Sequence, residues 1–246
     1  MSVRATIDNS LAAHIAETRD KHSATPYFAR AEALFPQQWT RFIEPAIVRP
    51  GIDFSNVLEL ACGHGRNTTR LLDFVARADG RITLVDVNQH CLDACRVRFA
   101  GDQRAVAEDG SPRLRYVLGD GHSLREVESG SVTFIYSWDS MVHFHRDLME
   151  RYIHEFARVL VPGGRGFVHH SNYGAYPTDA ASNFTDNPHW RSTMTAELFL
   201  QYAAAAGLRL LSQRIIDWGE NTGIDCISEF ANHPQNPRIA IRGFSV

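Results

Sequence analysis

The stretch NVLELACGHGRN, residues 56–67, decides the fold of this 246-residue chain. Its first part, VLEL at residues 57–60, is an almost unbroken apolar run, which is typical of a strand buried on both faces of a parallel sheet. Gly63 and Gly65 follow, and they give the backbone the freedom that a tight turn into a helix needs. Because these positions lack side chains, main-chain N–H groups can approach a ligand closely there. The stretch therefore predicts a strand, a small-molecule cradle and a helix.

A dinucleotide-binding fingerprint would place a third glycine three residues after Gly65, but Thr68 stands at that position. The chain also has a single lysine, Lys21, and it does not complete the Tyr-x-x-x-Lys pair expected of many nicotinamide oxidoreductases. Both observations disfavour an oxidoreductase, which would share the same fold. On this stretch alone, a strand-to-helix turn that binds nothing remains the alternative, since glycine is common in such turns.

An acidic residue that follows the glycine turn also indicates a bound ligand. Asp86 ends the next predicted strand, RITLVDVN at residues 81–88, and lies 23 positions after Gly63. That is about the distance at which an acidic residue meets ribose hydroxyls in nucleotide-binding units of this type. A carboxylate suits the role because it accepts two hydroxyl hydrogen bonds at once. The glycine turn and Asp86 together favour a nucleoside-containing cofactor.

Glu59, followed by the run ACGHG at residues 61–65, resembles the first motif of the class I S-adenosylmethionine-dependent methyltransferases. In that family an acidic residue precedes a turn rich in glycine or alanine at the methionine part of the cofactor. The resemblance implies S-adenosyl-L-methionine as the cofactor and a Rossmann-like α/β fold, with a seven-stranded, mostly parallel sheet and helices on both faces. We expect residues 1–50 to form an N-terminal helical cap and residues 51–246 to form the methyltransferase domain.

The resemblance also assigns cofactor contacts at the ends of the predicted strands. Asp86 matches the acidic residue that holds the ribose, and Val87 matches the apolar residue that touches the adenine. Asp120 matches the acidic residue that hydrogen-bonds the adenine amino group, although an Asp between two glycines is equally typical of a turn. The residues expected to bind the cofactor are Glu59, Ala61, Cys62, Gly63, Gly65, Asp86, Val87, Asn88, Asp120, Gly121, His122 and Ser137.

The segment YSWDSMVHF, residues 136–144, is similar to the fourth-motif region of small-molecule methyltransferases, including the phosphoethanolamine type. There an Asp, and a His four residues later, lie at the acceptor. Ligands in an open parallel sheet bind beyond the carboxyl ends of the strands, so we expect Trp138, Asp139 and His143 over the transferred methyl group. We predict that a short helix starting at Asp139 lets this carboxylate orient His143, the general base. The segment departs from the Asn/Asp-Pro-Pro-aromatic motif of enzymes that methylate base amino groups, which argues against nucleic acid.

Further substrate contacts are expected downstream. The run LVPGGRGFVHH, residues 160–170, resembles the family's helix end, turn and strand, with the strand beginning at residue 166. Because side chains alternate along a strand, one of His169 and His170 should face the cleft and the other the helices. Residues 173–191 lack periodicity, as lids and binding loops often do. The candidate substrate-binding residues are Tyr27, Trp138, His169, His170, Tyr173 and Arg191.

Methyl transfer from a sulfonium is an in-line displacement, so the protein mainly has to align the acceptor. We predict O-methylation of a small-molecule or sugar-type acceptor, with N-methylation of a small amine and a catalytically silent cofactor-binding module as alternatives. We expect no metal, since no compact ligand spacing enforces one. A metal-assisted reaction would draw on imidazoles and carboxylates of Asp139, His143, His145, His169 or His170.

Composition limits the class of partner. The net charge is −3 and the sequence pI is about 6.4, so no overall basic charge favours a nucleic-acid backbone. The four cysteines are unevenly placed and predict reduced thiols. The N-terminus lacks the apolar core of a signal peptide, and no apolar run approaches the roughly 20 residues of a membrane span. We expect a cytoplasmic enzyme with a small-molecule acceptor and without nucleic-acid or membrane partners, and we leave a homodimer open.

Overall fold

The computed structural model describes residues 11–17, 19–20, 25–49, 51–176 and 191–232. Seven strands form one sheet in the order β3-β2-β1-β4-β5-β7-β6. The strands are β1 (Asn56–Leu60), β2 (Arg81–Asp86), β3 (Leu114–Leu118), β4 (Val132–Ser137), β5 (Leu160–Ser171), β6 (Arg209–Trp218) and β7 (Asn221–Ala231). The pairs among β1 to β5 are parallel, whereas β7 runs antiparallel to both β5 and β6. This topology confirms the predicted Rossmann-like fold.

Helices cover both faces of the sheet. They are α1 (residues 11–17 and 19–20), α2 (Thr25–Gln38), α3 (Glu44–Ile47), α4 (Thr68–Arg77), α5 (Gln89–Phe99), α6 (Arg146–Val159) and α7 (Ala196–Ala205), with a π-helical segment, Trp39–Ile43, between α2 and α3. Among the described residues, no helix is long and apolar enough to cross a membrane.

The lack of polar alternation in β1 has a direct structural cause. Val57 faces an apolar cluster that includes α2, α3, α4 and α5, and Leu58 faces a second cluster built largely from α6 and α7. Each side chain is fully buried. Burying an aliphatic side chain stabilises the fold by about 1.5–3 kcal/mol, so both faces of this central strand favour apolar residues.

The run at residues 160–170 differs from its prediction. The structure starts β5 at Leu160, which pairs with Val132, rather than at residue 166. The next pair joins Phe134 to Arg165, so the Pro-Gly-Gly residues between them form an irregularity in the strand. Proline cannot donate a ladder hydrogen bond, and a bulge is where a strand tolerates it.

Candidate functional site

A cavity opens at the carboxyl ends of β1, β2 and β4, where the sheet edge meets α1 and α6. With its open mouth it encloses about 830 Å³. Its lining is largely apolar, with the polar groups of Asp86, Asp139 and His143 among the apolar side chains. We call it the main cavity; the predicted site residues that line it are Ala61, Asp86, Val87, Asn88, Gly121, Asp139 and His143. A mostly apolar cleft with a few polar groups is the usual form of a cofactor site.

The glycine turn is held from two sides. Gly63 and Gly65 have φ values of +53° and +78°, which side chains rarely tolerate. The Gly63 N–H donates to Asp86 Oδ2 at 2.9 Å, which ties the turn to the end of β2. A Cβ atom at Gly65 would lie 2.8 Å from the ring of Phe99 and 3.1 Å from Cys95 Sγ. Gly65 is therefore required by packing against α5 as well as by its backbone conformation.

Asp86 borders the main cavity with its carboxylate already oriented. Besides the bond from Gly63, Oδ1 accepts from the Asn88 N–H at 2.9 Å. Burial raises the pKa of Asp86, and the backbone hydrogen bonds from Asn88 and Gly63 oppose that rise. A fixed carboxylate beside a glycine turn fits the ribose of S-adenosylmethionine, because each carboxylate oxygen can accept a further hydrogen bond.

Removing the Asp86 carboxylate should weaken the binding of S-adenosylhomocysteine. Asp86→Ala is expected to cost roughly 1.5–3 kcal/mol, the range for hydrogen bonds to a charged group. Asp86→Asn keeps one acceptor for the turn and should lose less. Isothermal titration calorimetry measures both variants, with Asp93→Ala on the exposed face of α5 as the control. Unchanged affinity in Asp86→Ala would place the ribose elsewhere.

Asp139 adopts a conformation that the sequence did not indicate. Its φ is +59°, which cannot begin a right-handed helix, and the chain instead forms a short 3₁₀ turn, Met141–His143. Asp139 Oδ2 accepts from Arg66 Nη2 at 2.7 Å, and both side chains are about nine-tenths buried. Among the described residues, the Asp139 carboxylate receives no hydrogen bond from His143. The expected Asp139–His143 pair is therefore replaced by an ion pair with Arg66.

His143 lies in the wall of the main cavity and is 7% exposed. Its carbonyl oxygen lies 2.9 Å from Nε2 of His14, which comes from α1 and lines the same cavity. The neighbouring Ile15 packs against Gly121, where a Cβ atom would lie 2.6 Å from Ile15 Cγ2. Helix α1 thus covers part of the cavity, and sequence reasoning gave it no site residue.

A second, smaller cavity adjoins the main one. The two share Phe28, Ala61, Asp139 and Ser140, and the smaller one, the side cavity, is also lined by Cys62, Trp138, Glu32, His64, Arg66 and Asn67. Sequence reasoning missed Arg66, although its position directly after the glycine turn was a usable signal. Trp138 is almost fully buried, and its Nε1–H donates to Gln38 at 3.1 Å.

Several predicted site residues lie away from both cavities. Glu59 and Ser137 are buried beneath the strand ends. The carboxylate of Asp120 accepts from the backbone N–H groups of His122 and Ser123, so it stabilises its own turn. Asp120 and His122 border a groove on the other side of α1, not the main cavity. Tyr173 is half-buried in a 3₁₀ turn, and the Tyr27 side chain lies outside the described residues.

The histidine pair alternates as expected, but neither residue lines the main cavity or the side cavity. His170 stacks on Phe199 of α7 and lies 2.8 Å from Ser228 Oγ. Burial lowers the pKa of His170 to about 4, so this imidazole is neutral in the folded protein. His169 and Arg191 are equally buried, on the face toward Trp138. The structure therefore separates all three from direct contact with a ligand in these cavities. The described residues also contain no group of three or more histidine, cysteine, aspartate or glutamate side chains that could hold a metal.

Comparison with known proteins agrees with this geometry. A family profile described as a methyltransferase domain matches residues 57–164, from β1 into β5. No curated protein sequence matches the chain. The structure of geranyl diphosphate C-methyltransferase from Streptomyces coelicolor A3(2) is similar, with a TM-score of 0.63, 14% identity, and coverage of 85% of this chain and 86% of that one.

Two further solved structures are similar. One is an S-adenosylmethionine-dependent methyltransferase from Clostridium acetobutylicum, with a TM-score of 0.59, 16% identity, and coverage of 80% of this chain and 92% of that one. The other is a chain from the complex between the Haloferax volcanii Trm112 methyltransferase activator and a methyltransferase, with a TM-score of 0.61, 17% identity and coverage of 84% and 95%. At these identities the structures establish the fold. The profile match identifies a methyltransferase domain at residues 57–164, and the strand order of the sheet is that of the class I S-adenosylmethionine-dependent methyltransferase fold.

Proposed function

We propose that this methyltransferase transfers the methyl group to a hydroxyl of a small-molecule or sugar-type acceptor, with His143 as the general base. The observation that carries the proposal is that His143 lies in the wall of the same cavity as Asp86. A hydroxyl must lose its proton during transfer, and a positioned histidine is the usual group that takes it.

The residues divide the work between the two cavities. When bound, S-adenosylmethionine supplies an electrophilic methyl group; Asp86 and the glycine turn would hold its ribose and methionine ends. Phe28 and Ser140 lie where the cavities meet, and they border the path from cofactor to acceptor. The side cavity carries the polar groups of Glu32, His64 and Asn67, which suit the other hydroxyls of an acceptor whose reacting hydroxyl enters the main cavity, where His143 lies.

An acceptor screen tests the proposal. Sugars, phenols and small amines are incubated with S-adenosylmethionine, and the formation of S-adenosylhomocysteine is followed, with the product bond assigned by mass spectrometry. We expect turnover with hydroxyl acceptors and a methyl ether as the product. Turnover with amines alone would support the N-methyltransferase alternative. Binding of the cofactor without turnover of any acceptor would support the silent module.

We also propose that residues 1–50 act as a cap on the methyltransferase domain, in a cytoplasmic enzyme. The packing of Phe35, Trp39 and Ile47 into the same apolar cluster as α4 supports the cap. The four cysteines are all free and buried, which is consistent with a reducing compartment.

A further inference from the structure

A chain of buried hydrogen bonds leads from Asp139 into the protein interior. The Asp139 N–H donates to His169 Nδ1 at 3.2 Å, and His169 Nε2 lies 3.0 Å from Asp225 Oδ2. Arg191 closes the chain with two bonds to the Asp225 carboxylate, from Nε at 2.8 Å and from Nη2 at 2.7 Å. The side chains of His169, Asp225 and Arg191 are almost completely inaccessible to solvent. We call these three residues the buried relay.

The bonds determine the tautomer of His169. A backbone N–H can only donate, so His169 Nδ1 must present its lone pair to Asp139. The imidazole proton then lies on Nε2 and is donated to Asp225. Protonation of Nδ1 would place two hydrogens against each other and break the bond to Asp139. The relay therefore requires one neutral tautomer of His169.

The surroundings keep that arrangement fixed. Burial alone would raise the pKa of Asp225, but the hydrogen bonds from His169 and Arg191 and the positive charge of Arg191 lower it, so the carboxylate stays ionised. The His169 ring packs against two indoles, Trp138 at 4.3 Å and Trp218 at 5.0 Å between ring centroids. The Arg191 guanidinium lies 5.2 Å from the Trp218 ring centroid. Neither His169 nor Arg191 has room to change partner without repacking these rings.

The buried relay ends on the backbone N–H of Asp139, a residue whose backbone conformation is strained. Asp139 is not a glycine, yet it holds a φ of +59°, a conformation that persists only where the surroundings impose it. The bond to His169 Nδ1 fixes its N–H on the inner side, and the ion pair with Arg66 fixes its carboxylate on the cavity side. Asp139 lines both cavities, and the 3₁₀ turn that carries His143 follows two residues later.

We propose that His169, Asp225 and Arg191 are positioning residues for methyl transfer, which hold Asp139 and the following turn in the conformation that shapes the cofactor pocket. This inference rests on the proposed function, since it makes the relay the support of the turn that carries His143. None of the three relay residues touches the ligand; they act through the Asp139 backbone.

Two substitutions of His169 separate positioning from packing. In His169→Asn the side-chain oxygen occupies the place of Nδ1 and can still accept from the Asp139 N–H. In His169→Gln the longer amide reaches Asp225 but leaves the Asp139 N–H without its acceptor. We expect His169→Asn to bind S-adenosylhomocysteine within about threefold of wild type, and His169→Gln to bind it at least tenfold more weakly, as measured by isothermal titration calorimetry.

Ser228→Ala is the matched control, because it removes a buried hydrogen bond to His170 on the opposite face of the same strand pair. It should lower the melting temperature and leave the affinity within twofold. If His169→Asn and His169→Gln lost affinity equally, and in proportion to their loss of melting temperature, His169 would act only through packing. That result would overturn the inference.

A measurement on the wild-type protein avoids the risk that a variant does not fold. In ¹⁵N-histidine NMR spectra, the His169 signals, assigned by their absence from His169→Gln, should report the Nε2–H tautomer. An Nδ1–H tautomer would overturn the inference. Neither readout needs an acceptor, so a failed acceptor screen alongside the expected binding and NMR results would count against the proposed reaction and leave the relay standing.

Discussion

His143→Ala is expected to lower kcat by 10²–10⁴-fold, the usual contribution of a general base, while the affinity for S-adenosylhomocysteine stays within about threefold. His143 lies in the cavity wall, and the backbone of its turn is held by bonds to Ser140 and His14 that the substitution leaves in place. The loss should therefore fall on the chemical step. Steady-state kinetics with the best acceptor from the screen, together with calorimetry, separates the two effects.

The pH profile gives an independent check on the same residue. In the wild-type enzyme kcat should rise with pH through a histidine titration, which ordinarily lies near 6.5, and the variant should lack that rise. His145→Ala, two residues later and exposed, is the control and should keep kcat within about twofold. A His143→Ala enzyme that keeps its turnover and loses only thermal stability would make this histidine a packing residue. His169 and His170 could not take over its role without moving, because both are buried away from the cavities.

The parts of the site that follow from strand ends could be read from the sequence. Parallel strands place their carboxyl ends on one edge, so a glycine turn after β1 and an acidic residue after β2 predict one ligand site. The structure brings Gly63 and Asp86 into direct contact, as that rule requires. These features depend on local patterns and on the order of elements along the chain.

Features that depend on contacts between distant parts of the chain could not be predicted from the sequence. Asp139 and His143 have helical spacing, but spacing cannot reveal that Arg66, 73 positions earlier, takes the Asp139 carboxylate. The left-handed backbone at Asp139 depends on His169, a residue of another strand. The alternation of His169 and His170 was predicted. The sequence could not show, however, that His169 pairs with Asp225 of β7 and so lies outside the cleft. Long-range bonds of this kind leave no periodic signal in a sequence.

The second large expected effect is a pH dependence of the stability, and it comes from Glu59, a carboxyl group buried inside the sheet. The residue is 1% exposed; Oε2 accepts from the Thr68 hydroxyl at 2.6 Å, and Oε1 has no partner among the described residues. Burial raises the pKa of Glu59 to about 8, and the hydrogen bond from Thr68 and the charge of Arg66 only partly oppose it. The folded protein therefore keeps a proton near neutral pH that the unfolded chain releases at about pH 4.5.

The sign of the pH dependence follows from that proton. Between about pH 4.5 and pH 8 the folded state binds more protons at Glu59 than the unfolded state does, so this group's contribution to stability falls as pH rises. Glu59→Gln has nearly the same shape, keeps an acceptor for Thr68 and does not titrate. The variant should match wild type at pH 5 within about 1 kcal/mol and exceed it at pH 9 by roughly 3–5 kcal/mol.

Denaturant unfolding of both proteins at pH 5, 6, 7, 8 and 9 measures the difference directly, with the exposed Glu108→Gln as a control that should show no trend. A difference between Glu59→Gln and wild type that stays constant over this range would mean that Glu59 is ionised in the fold. In that case the carboxylate would need a cationic partner at Oε1, and Arg66, the nearby cation that already lowers its pKa, would be the residue to test next. With a neutral Glu59, affinity for S-adenosylhomocysteine at pH 6 should be the same in variant and wild type within about threefold, because Glu59 supports the glycine turn through Thr68 and lines neither cavity.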